Sequence, residues 1–376
     1  MWYLQSGTFL LIAAFSIVVA VLRKFLPQKI LGVLLPVAEI ALIAFISLKL
    51  AVLYAVYAAI GILATRILLK FRKKLLFAVL CILASVPFFI GRLDVFGMSV
   101  PTWFEGIGIA FAMLKMIDAL YYVYYSGEAV SPLVYINYMF FLPVFTAGPI
   151  FRYRDFKKTF ENPISLTAAE LMQDFKRVIR GMFKKIVLAE IAVTALSQLL
   201  LKNSSVFISV AVTVLSYFIL FFDLSGYSDI AIAFGRLAGY DIPENFKRPM
   251  AAPSFTQFWR SWHASLSDWI REHIYVVVAK KRLGKPVTAL IAFFTMVVMS
   301  LWHGFNLPYL LAGAYNGLLL AGENLLSLTT VNVKKTKKSV YYLRCIAVNF
   351  LFALNTLVFT LPPEKLPEIL RGFFRI

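Results

Sequence analysis

A histidine stands at position 303, in Ser300-Leu301-Trp302-His303-Gly304, between two apolar stretches each long enough to reach deep into a bilayer. Polar groups are rare and costly at that depth, and an imidazole titrates near neutrality, so this placement suits a protein that moves protons for chemistry. Only His263 and His273 accompany it. His263 lies in Phe258-Trp259-Arg260-Ser261-Trp262-His263-Ala264-Ser265-Leu266-Ser267-Asp268-Trp269-Ile270-Arg271, a run too polar for lipid and too aromatic for a solvated loop. Read as one helix buried in protein, it makes Trp259 and Ser267 the i−4 and i+4 neighbours of His263, so that indole frames the imidazole and a hydroxyl orients it. The tryptophans of this run either wall a tunnel or anchor a helix at headgroup level. The plainer reading of His303 is a hydrogen bond holding two helices together, and His273, beside Arg271 and Glu272, reads as an ordinary polar residue near an interface.

Other chemistries fit less well. Ser261, Ser265, Ser267 and Asp268 surround His263, but there is no Gly-x-Ser-x-Gly elbow, and several serines on one helix cannot all face one base. Few acidic residues and three histidines form no ligand set, with His263 and His273 too far apart to chelate from one helix face, so no metal is expected. Cys81 and Cys345 sit in apolar segments without CxxC spacing and read as inert. Gly106 and Gly108 open no phosphate-binding loop. Asp223-Leu224-Ser225-Gly226-Tyr227-Ser228-Asp229 reads as a segment satisfying helix ends, with a substrate contact as the lesser alternative.

These residues need elements to position them, and composition says which. Hydrophobic residues make up 61% and charged ones 15% of the 376-residue chain, with a mean hydropathy of +0.80. Repeated apolar runs of bilayer length, without the alternating polarity of barrel strands, predict an all-α polytopic membrane protein of about 10–11 transmembrane helices. The net charge of +19 belongs to clusters at the ends of apolar segments, such as Arg23, Lys24 and Lys29, or Lys334, Lys335, Lys337 and Lys338. Those clusters mark cytoplasmic sides and not a nucleic-acid surface. The stretch before Arg23 has no convincing cleavage site, and is expected to be a retained span with the N-terminus outside.

Alternating orientation places spans near 8–22, 30–48, 50–65, 75–90, 105–125, 186–201, 206–222, 287–302, 307–327 and 340–360, with an external loop at 92–100. A full crossing at 131–149 would put Arg152, Arg154, Lys157 and Lys158 outside. Pro132, Pro143, Gly148 and Pro149 therefore predict a re-entrant segment, tolerable only if protein surrounds its broken backbone. From 152 to 185 the chain becomes amphipathic and basic, with Leu166, Leu171, Phe175, Val178 and Ile179 among Lys176, Arg177, Arg180, Lys184 and Lys185, as expected of a helix on the inner membrane face. His303 falls at the outer end of its span and His263 on the inner side. No repeat or low-complexity linker divides the chain, and 1–376 reads as a single membrane domain.

Trp302-His303-Gly304 with Tyr309 and Tyr315 downstream, and the Phe258–Ser267 run upstream, together resemble the membrane-bound O-acyltransferases (MBOAT), most nearly the bacterial branch. Phe145-Thr146-Ala147-Gly148-Pro149-Ile150-Phe151-Arg152-Tyr153, Phe222-Asp223-Leu224-Ser225-Gly226-Tyr227-Ser228 and Pro243-Glu244-Asn245-Phe246-Lys247-Arg248-Pro249 extend the likeness, in order, over a core of about 105–325. The resemblance implies that His303 is the catalytic histidine and His263 the second one, on the path to it. It implies a ring of helices around a thinned centre with a central tunnel. Trp302, Trp262, Ser267, Trp259, Asn306 and Tyr227 are the expected tunnel and substrate-binding residues.

Under that resemblance an activated acyl donor arrives from the cytoplasm and an acceptor from outside, and neutral His303 removes the proton of an acceptor hydroxyl as it attacks a thioester carbonyl. His263 would orient the donor or polarise its carbonyl. No bound cofactor is expected; the thioester, on a phosphopantetheine carrier or coenzyme A, is substrate. The stretch 140–156 resembles the DltB type, which D-alanylates teichoic acid from a carrier protein, and 223–246 equally the AlgI type, which O-acetylates polysaccharide. Phe151 replaces the usual Asp of the first type, Val276-Val277-Val278-Ala279-Lys280-Lys281-Arg282 the Gly-Gly-Asn run of the second, and Asn316 a common second histidine. Carrier-delivered D-alanine is the favoured expectation. Lys280, Lys281, Arg282 and Lys285 would then dock an acidic acyl carrier protein, or hold anionic lipid. The expected setting is the bacterial cell membrane, with an extracytoplasmic polymer as acceptor, accessory envelope proteins as further partners and no nucleic acid. A transporter or flippase, with the broken segment and the histidine forming a proton path, is the alternative of another class; it predicts inverted repeats, and none is found.

Overall fold

The computed structural model describes residues 6–100, 108–278 and 283–375, and among them every regular element is helical. Lys280, Lys281 and Arg282, expected to dock a carrier protein, lie outside the described residues. The chain forms two compact units, Met1–Arg177 with Ala231–Pro243, and Val178–Ile230 with Glu244–Ile376.

In the first unit, α1 (Ser6–Leu22), α2 (Gln28–Ile46), α3 (Leu48–Phe71), α4 (Lys74–Ile90) and α5 (Ile109–Ser126) follow the expected spans closely. Their boundaries are chemical. Pro27 precedes α2, where a missing N–H costs nothing. Gly127 ends α5 in the left-handed conformation at φ 76°, its N–H bonded to the Val123 carbonyl.

The expected re-entrant segment is a broken helix. Helix α6 (Pro132–Phe140) has nine residues and stops before a single 3₁₀ turn at Leu142–Val144. At about 1.5 Å per residue it is far too short to cross a hydrocarbon core of about 30 Å. It packs against α2, α3, α5 and α7 (Tyr153–Glu161). Its orphaned backbone groups are met by buried ionisable side chains: Lys115 Nζ donates to the carbonyls of Tyr138 (2.9 Å) and Met139 (3.3 Å), and Glu39 Oε1 accepts from the Leu142 N–H at 3.1 Å. Asp118 accepts from the Tyr153 N–H. Irregular backbone survives here because side chains of α2 and α5 replace the water it would otherwise need.

Helix α8 (Ala168–Met182) begins with a capping box, the Thr167 N–H donating to Glu170 Oε2 at 2.9 Å and the Glu170 N–H to Thr167 Oγ1 at 3.3 Å. Leu171, Met172, Phe175 and Ile179 are exposed along it, the apolar stripe of a helix lying on a membrane face.

In the second unit a π-helical turn over Phe183–Leu188 leads into α9 (Ala189–Leu199), then α10 (Val206–Leu237). Asp223–Asp229 was expected at a helix end but lies inside α10, whose last turns belong to the first unit. Cations placed by the π turn make this possible: Lys185 pairs with Asp223, and Lys184 Nζ lies 2.8 Å from Asp229 Oδ2. Short helices α11 (Phe255–Trp259), α12 (Ala264–Ile270) and α13 (Val276–Val278) follow, then α14 (Lys285–His303), α15 (Leu307–Leu325), α16 (Lys338–Thr360) and α17 (Leu366–Gly372). Helices α14 and α15 pack extensively against each other. Gly313 and Gly317, four residues apart, permit it, since a Cβ on Gly313 would stand 2.8 Å from Val297 Cα and one on Gly317 2.8 Å from the Phe293 carbonyl oxygen.

By length and apolarity five described helices can cross a membrane (α2, α3, α10, α14 and α16), and two shorter apolar helices accompany them. Their faces carry exposed Ile, Leu, Val and Phe, which in water would be an aggregation hazard and in lipid is the solvent contact. The chain is a multi-pass membrane protein.

Candidate active site

Within the second unit, α10, α11, α12, α14, α15 and α16 line a partly open cavity of about 160 Å³. Helix α14 presents Met296, Met299, Ser300 and His303 to it, spaced three, four and seven residues apart on one face. Helix α16 presents Phe352, Asn355 and Phe359; α10 presents Leu220 and Leu224; α15 contributes Asn316. Trp259, Trp262, His263 and Leu266 complete the wall. Among the described residues that line it there is no carboxylate, ammonium or guanidinium.

His303 is the last residue of α14, its ring set edgewise to Phe359 (centroids 5.3 Å apart) and near the Trp302 ring (4.8 Å). Gly304 follows because the space is taken: a Cβ there would lie 2.3 Å from the Tyr309 ring. Ser300 Oγ donates to the Tyr309 carbonyl at 2.6 Å, tying the end of α14 to the start of α15. That closure holds the Trp-His-Gly corner.

The Phe258–Arg271 run, expected as one helix, is two. The chain leaves α11 at Trp259, and His263 takes the left-handed conformation (φ 45°, ψ 46°) as the N-cap of α12. Trp259 and His263 are therefore not helix neighbours, and the Ser267 hydroxyl does not orient the imidazole; it donates to the Trp262 carbonyl at 3.4 Å. The strained corner is over-determined by residues 245–247. Lys247 N–H donates to the Ser261 carbonyl and Ala264 N–H to the Asn245 carbonyl, both at 2.8 Å, while His263 Nδ1 lies 3.1 Å from Asn245 Oδ1. Burial beside the apolar wall disfavours the imidazolium, lowering the His263 pKa from 6.5 to about 4.

Three buried polar atoms on the lining residues have no hydrogen-bond partner among the described residues: Trp259 Nε1, Asn316 Oδ1 and Asn355 Oδ1. Asn316 Nδ2 is used, donating to the Ala312 carbonyl at 2.9 Å. The lining residues thus carry, beside two imidazoles, a buried N–H donor and two buried carboxamide oxygens without a partner among the described residues.

Four residues expected at the tunnel stand outside this lining. Trp302 backs His303; Ser267 bonds Trp262; Tyr227 is buried within α10; Asn306 caps α15, its Oδ1 accepting from the Tyr309 N–H at 3.1 Å. Lys285, expected to dock a carrier, begins α14 and donates to Ser327 Oγ at 2.6 Å. Ser300, Asn355 and Asn245 were not singled out from the sequence. The three-four-seven spacing before His303 is the signal that points to Ser300, whereas Asn355 looks like any polar residue of an apolar helix.

The chain matches the model of MBOAT, the membrane-bound O-acyltransferase family, over residues 31–361. It is 35% identical over 229 residues to the probable alginate O-acetylase AlgI of Pseudomonas syringae pv. tomato, covering 60% of this chain and 44% of that protein. It is 30% identical over 244 residues to the teichoic acid D-alanyltransferase of Streptococcus thermophilus, covering 60% and 56%. With the peptidoglycan O-acetyltransferase of Helicobacter pylori it shares 29% over 191 residues, 50% of this chain and 36% of the relative. The chain spans about half the length of the relatives it matches. With two histidines lining one cavity and a family model matched over most of its length, this chain belongs to the membrane-bound O-acyltransferase family.

Proposed function

We propose that the protein transfers a short acyl group from a thioester to a hydroxyl of a cell-envelope polymer, in a bacterial cell membrane. The observation that carries this reading is that His303 and His263 line one cavity of about 160 Å³ with no carboxylate, ammonium or guanidinium among its described lining residues. A cavity of about 150 Å³ holds a benzene-sized molecule. A two- or three-carbon acyl group with its thioester sulfur is of that size, and a long fatty chain is not.

In the reaction, the acceptor oxygen forms a bond to the thioester carbonyl carbon, the carbon–sulfur bond breaks, and His303 takes the hydroxyl proton and returns it to the leaving thiolate. General-base help of this kind contributes about 10²- to 10⁴-fold. Trp259 Nε1, unpartnered among the described residues, is a donor for the carbonyl oxygen as it becomes an oxyanion.

The uncharged wall favours a neutral acyl group, hence acetyl, because an α-ammonium would enter without a counter-charge. A D-alanyl donor, delivered by an acidic carrier protein, is the second reading, and the unpartnered acceptors Asn316 Oδ1 and Asn355 Oδ1 favour it. Radiolabel is followed from acetyl thioesters and from a D-alanyl carrier protein, with the purified protein in nanodiscs and a hydroxylated polymer as acceptor. Acetyl transfer at least tenfold faster supports the first reading, preference for D-alanyl the second, and transfer of neither refutes the function.

A further inference from the structure

Asn245 is 2% exposed and does not line the cavity, yet both ends of its carboxamide are committed. Its Oδ1 receives the Ser265 backbone N–H at 3.3 Å and the Ser265 hydroxyl at 2.8 Å. A backbone N–H can only donate, so the oxygen and not the nitrogen of the amide must face it; the flipped amide would set N–H against N–H. Its Nδ2 donates to Ser228 Oγ at 3.0 Å, and the Ser228 hydroxyl passes its own hydrogen to the Leu224 carbonyl at 2.8 Å. Every hydrogen in the relay from Leu224 to Asn245 has one direction.

His263 Nδ1 lies 3.1 Å from that same Oδ1. A carboxamide oxygen accepts, so Nδ1 must carry a proton, and in a neutral imidazole Nε2 is then a bare acceptor. Asn245 is not among the residues that line the cavity whereas His263 is, so the ring meets the cavity through an edge other than the one tied to Asn245. We propose that Asn245 is a positioning residue that locks His263 in the Nδ1–H tautomer, so that His263 meets the cavity contents as a hydrogen-bond acceptor for a protic group other than the reacting hydroxyl, whose single proton goes to His303. The role expected from the family resemblance, polarising the donor carbonyl, would need a proton on Nε2. The strained backbone of His263 fits this assignment, since the left-handed corner is what brings Nδ1 to Asn245. The catalytic consequence rests on the acyl-transfer reading; the tautomer does not.

The chain has three histidines, so this chain carrying ¹⁵N-histidine in nanodiscs gives six ring-nitrogen signals, with those of His263 identified by their loss in His263→Asn. At neutral pH the proposal expects a protonated Nδ1 and a pyridine-like Nε2. Asn245→Leu should convert this to a tautomer mixture and lower kcat at least ~10-fold, the scale of losing a partner that orients a functional histidine, with KM little changed. Asn245→Asp keeps an oxygen acceptor and should restore both the Nδ1–H signal and most of kcat. A proton on Nε2 in the wild type, or an unaltered tautomer in Asn245→Leu, overturns the proposal. If Asn245→Leu does not fold, the wild-type and Asn245→Asp spectra still decide. Absence of acyl transfer with any donor, alongside the expected spectra, would remove the functional reading and leave the tautomer assignment standing.

Discussion

Acid should destabilise this protein through His263, by an amount the site fixes. The imidazole is walled by Trp259, Trp262, Leu266 and the apolar faces of α10 and α16, and the other titratable group on the lining is His303. With its pKa lowered from 6.5 to about 4, the folded state holds fewer protons than the unfolded state between those values. Stability therefore falls as pH drops through that window and is unaffected by this group above it. One pKa unit corresponds to about 1.4 kcal/mol, so lowering the pH from 7 to 4 should remove about 3 kcal/mol. The assay is thermal or denaturant unfolding in detergent at pH 7, 5.5 and 4, for the wild type and for His263→Asn, which cannot ionise. The wild type should lose about 3 kcal/mol more than the variant over that range, most of it below pH 6. Parallel loss in the two proteins would refute the reasoning, as it would mean that the ring is solvated in the folded state or that other groups carry the acid response.

Other perturbations separate packing from chemistry. Gly313→Ala sets a Cβ against Val297 Cα and Ser300 Cβ, at 2.8 and 2.9 Å, and should cost ~1–3 kcal/mol in unfolding measurements while disturbing the cavity face of α14. Trp259→Phe keeps the ring packed on Phe258 and Phe352 but removes the N–H, and should lower kcat by about 10²-fold with an unchanged melting temperature if that donor meets the oxyanion. Asn316→Leu removes a buried acceptor that has no partner among the described residues, so it should raise stability by ~1–3 kcal/mol while weakening transfer of a protic acyl group relative to acetyl. Equal effects on both donors would separate Asn316 from acyl selection.

The helices were legible because lipid imposes long uninterrupted apolar runs, and those runs end at Pro27, Gly127 and the basic clusters. The broken segment was legible from its prolines and the misplaced charge that a crossing would cause. What could not be read was how its backbone is satisfied, since Glu39 and Lys115 reach it from helices far away in sequence. The same distance hid the continuation of α10: Asp223 and Asp229 look like helix-end residues until Lys185 and Lys184 stand beside them. His303 announced itself by type and depth, and the residues three, four and seven positions before it shared its face. His263 was found by type but misplaced in conformation, because a tryptophan-rich run with good helix formers carries no local sign of a left-handed corner. Its cause is Asn245, 18 residues upstream, which the sequence presents only as part of a motif.

The central claim is that His303 is the base of an acyl transfer carried out in the cavity. Single-turnover transfer from a radiolabelled thioester to a polymer hydroxyl, compared between the wild-type protein and His303→Ala in nanodiscs, tests it most directly. The loss should be at least ~10²-fold, the lower bound for removing a general base, with the fold and thioester binding retained. Transfer by His303→Ala at the wild-type rate would contradict the account.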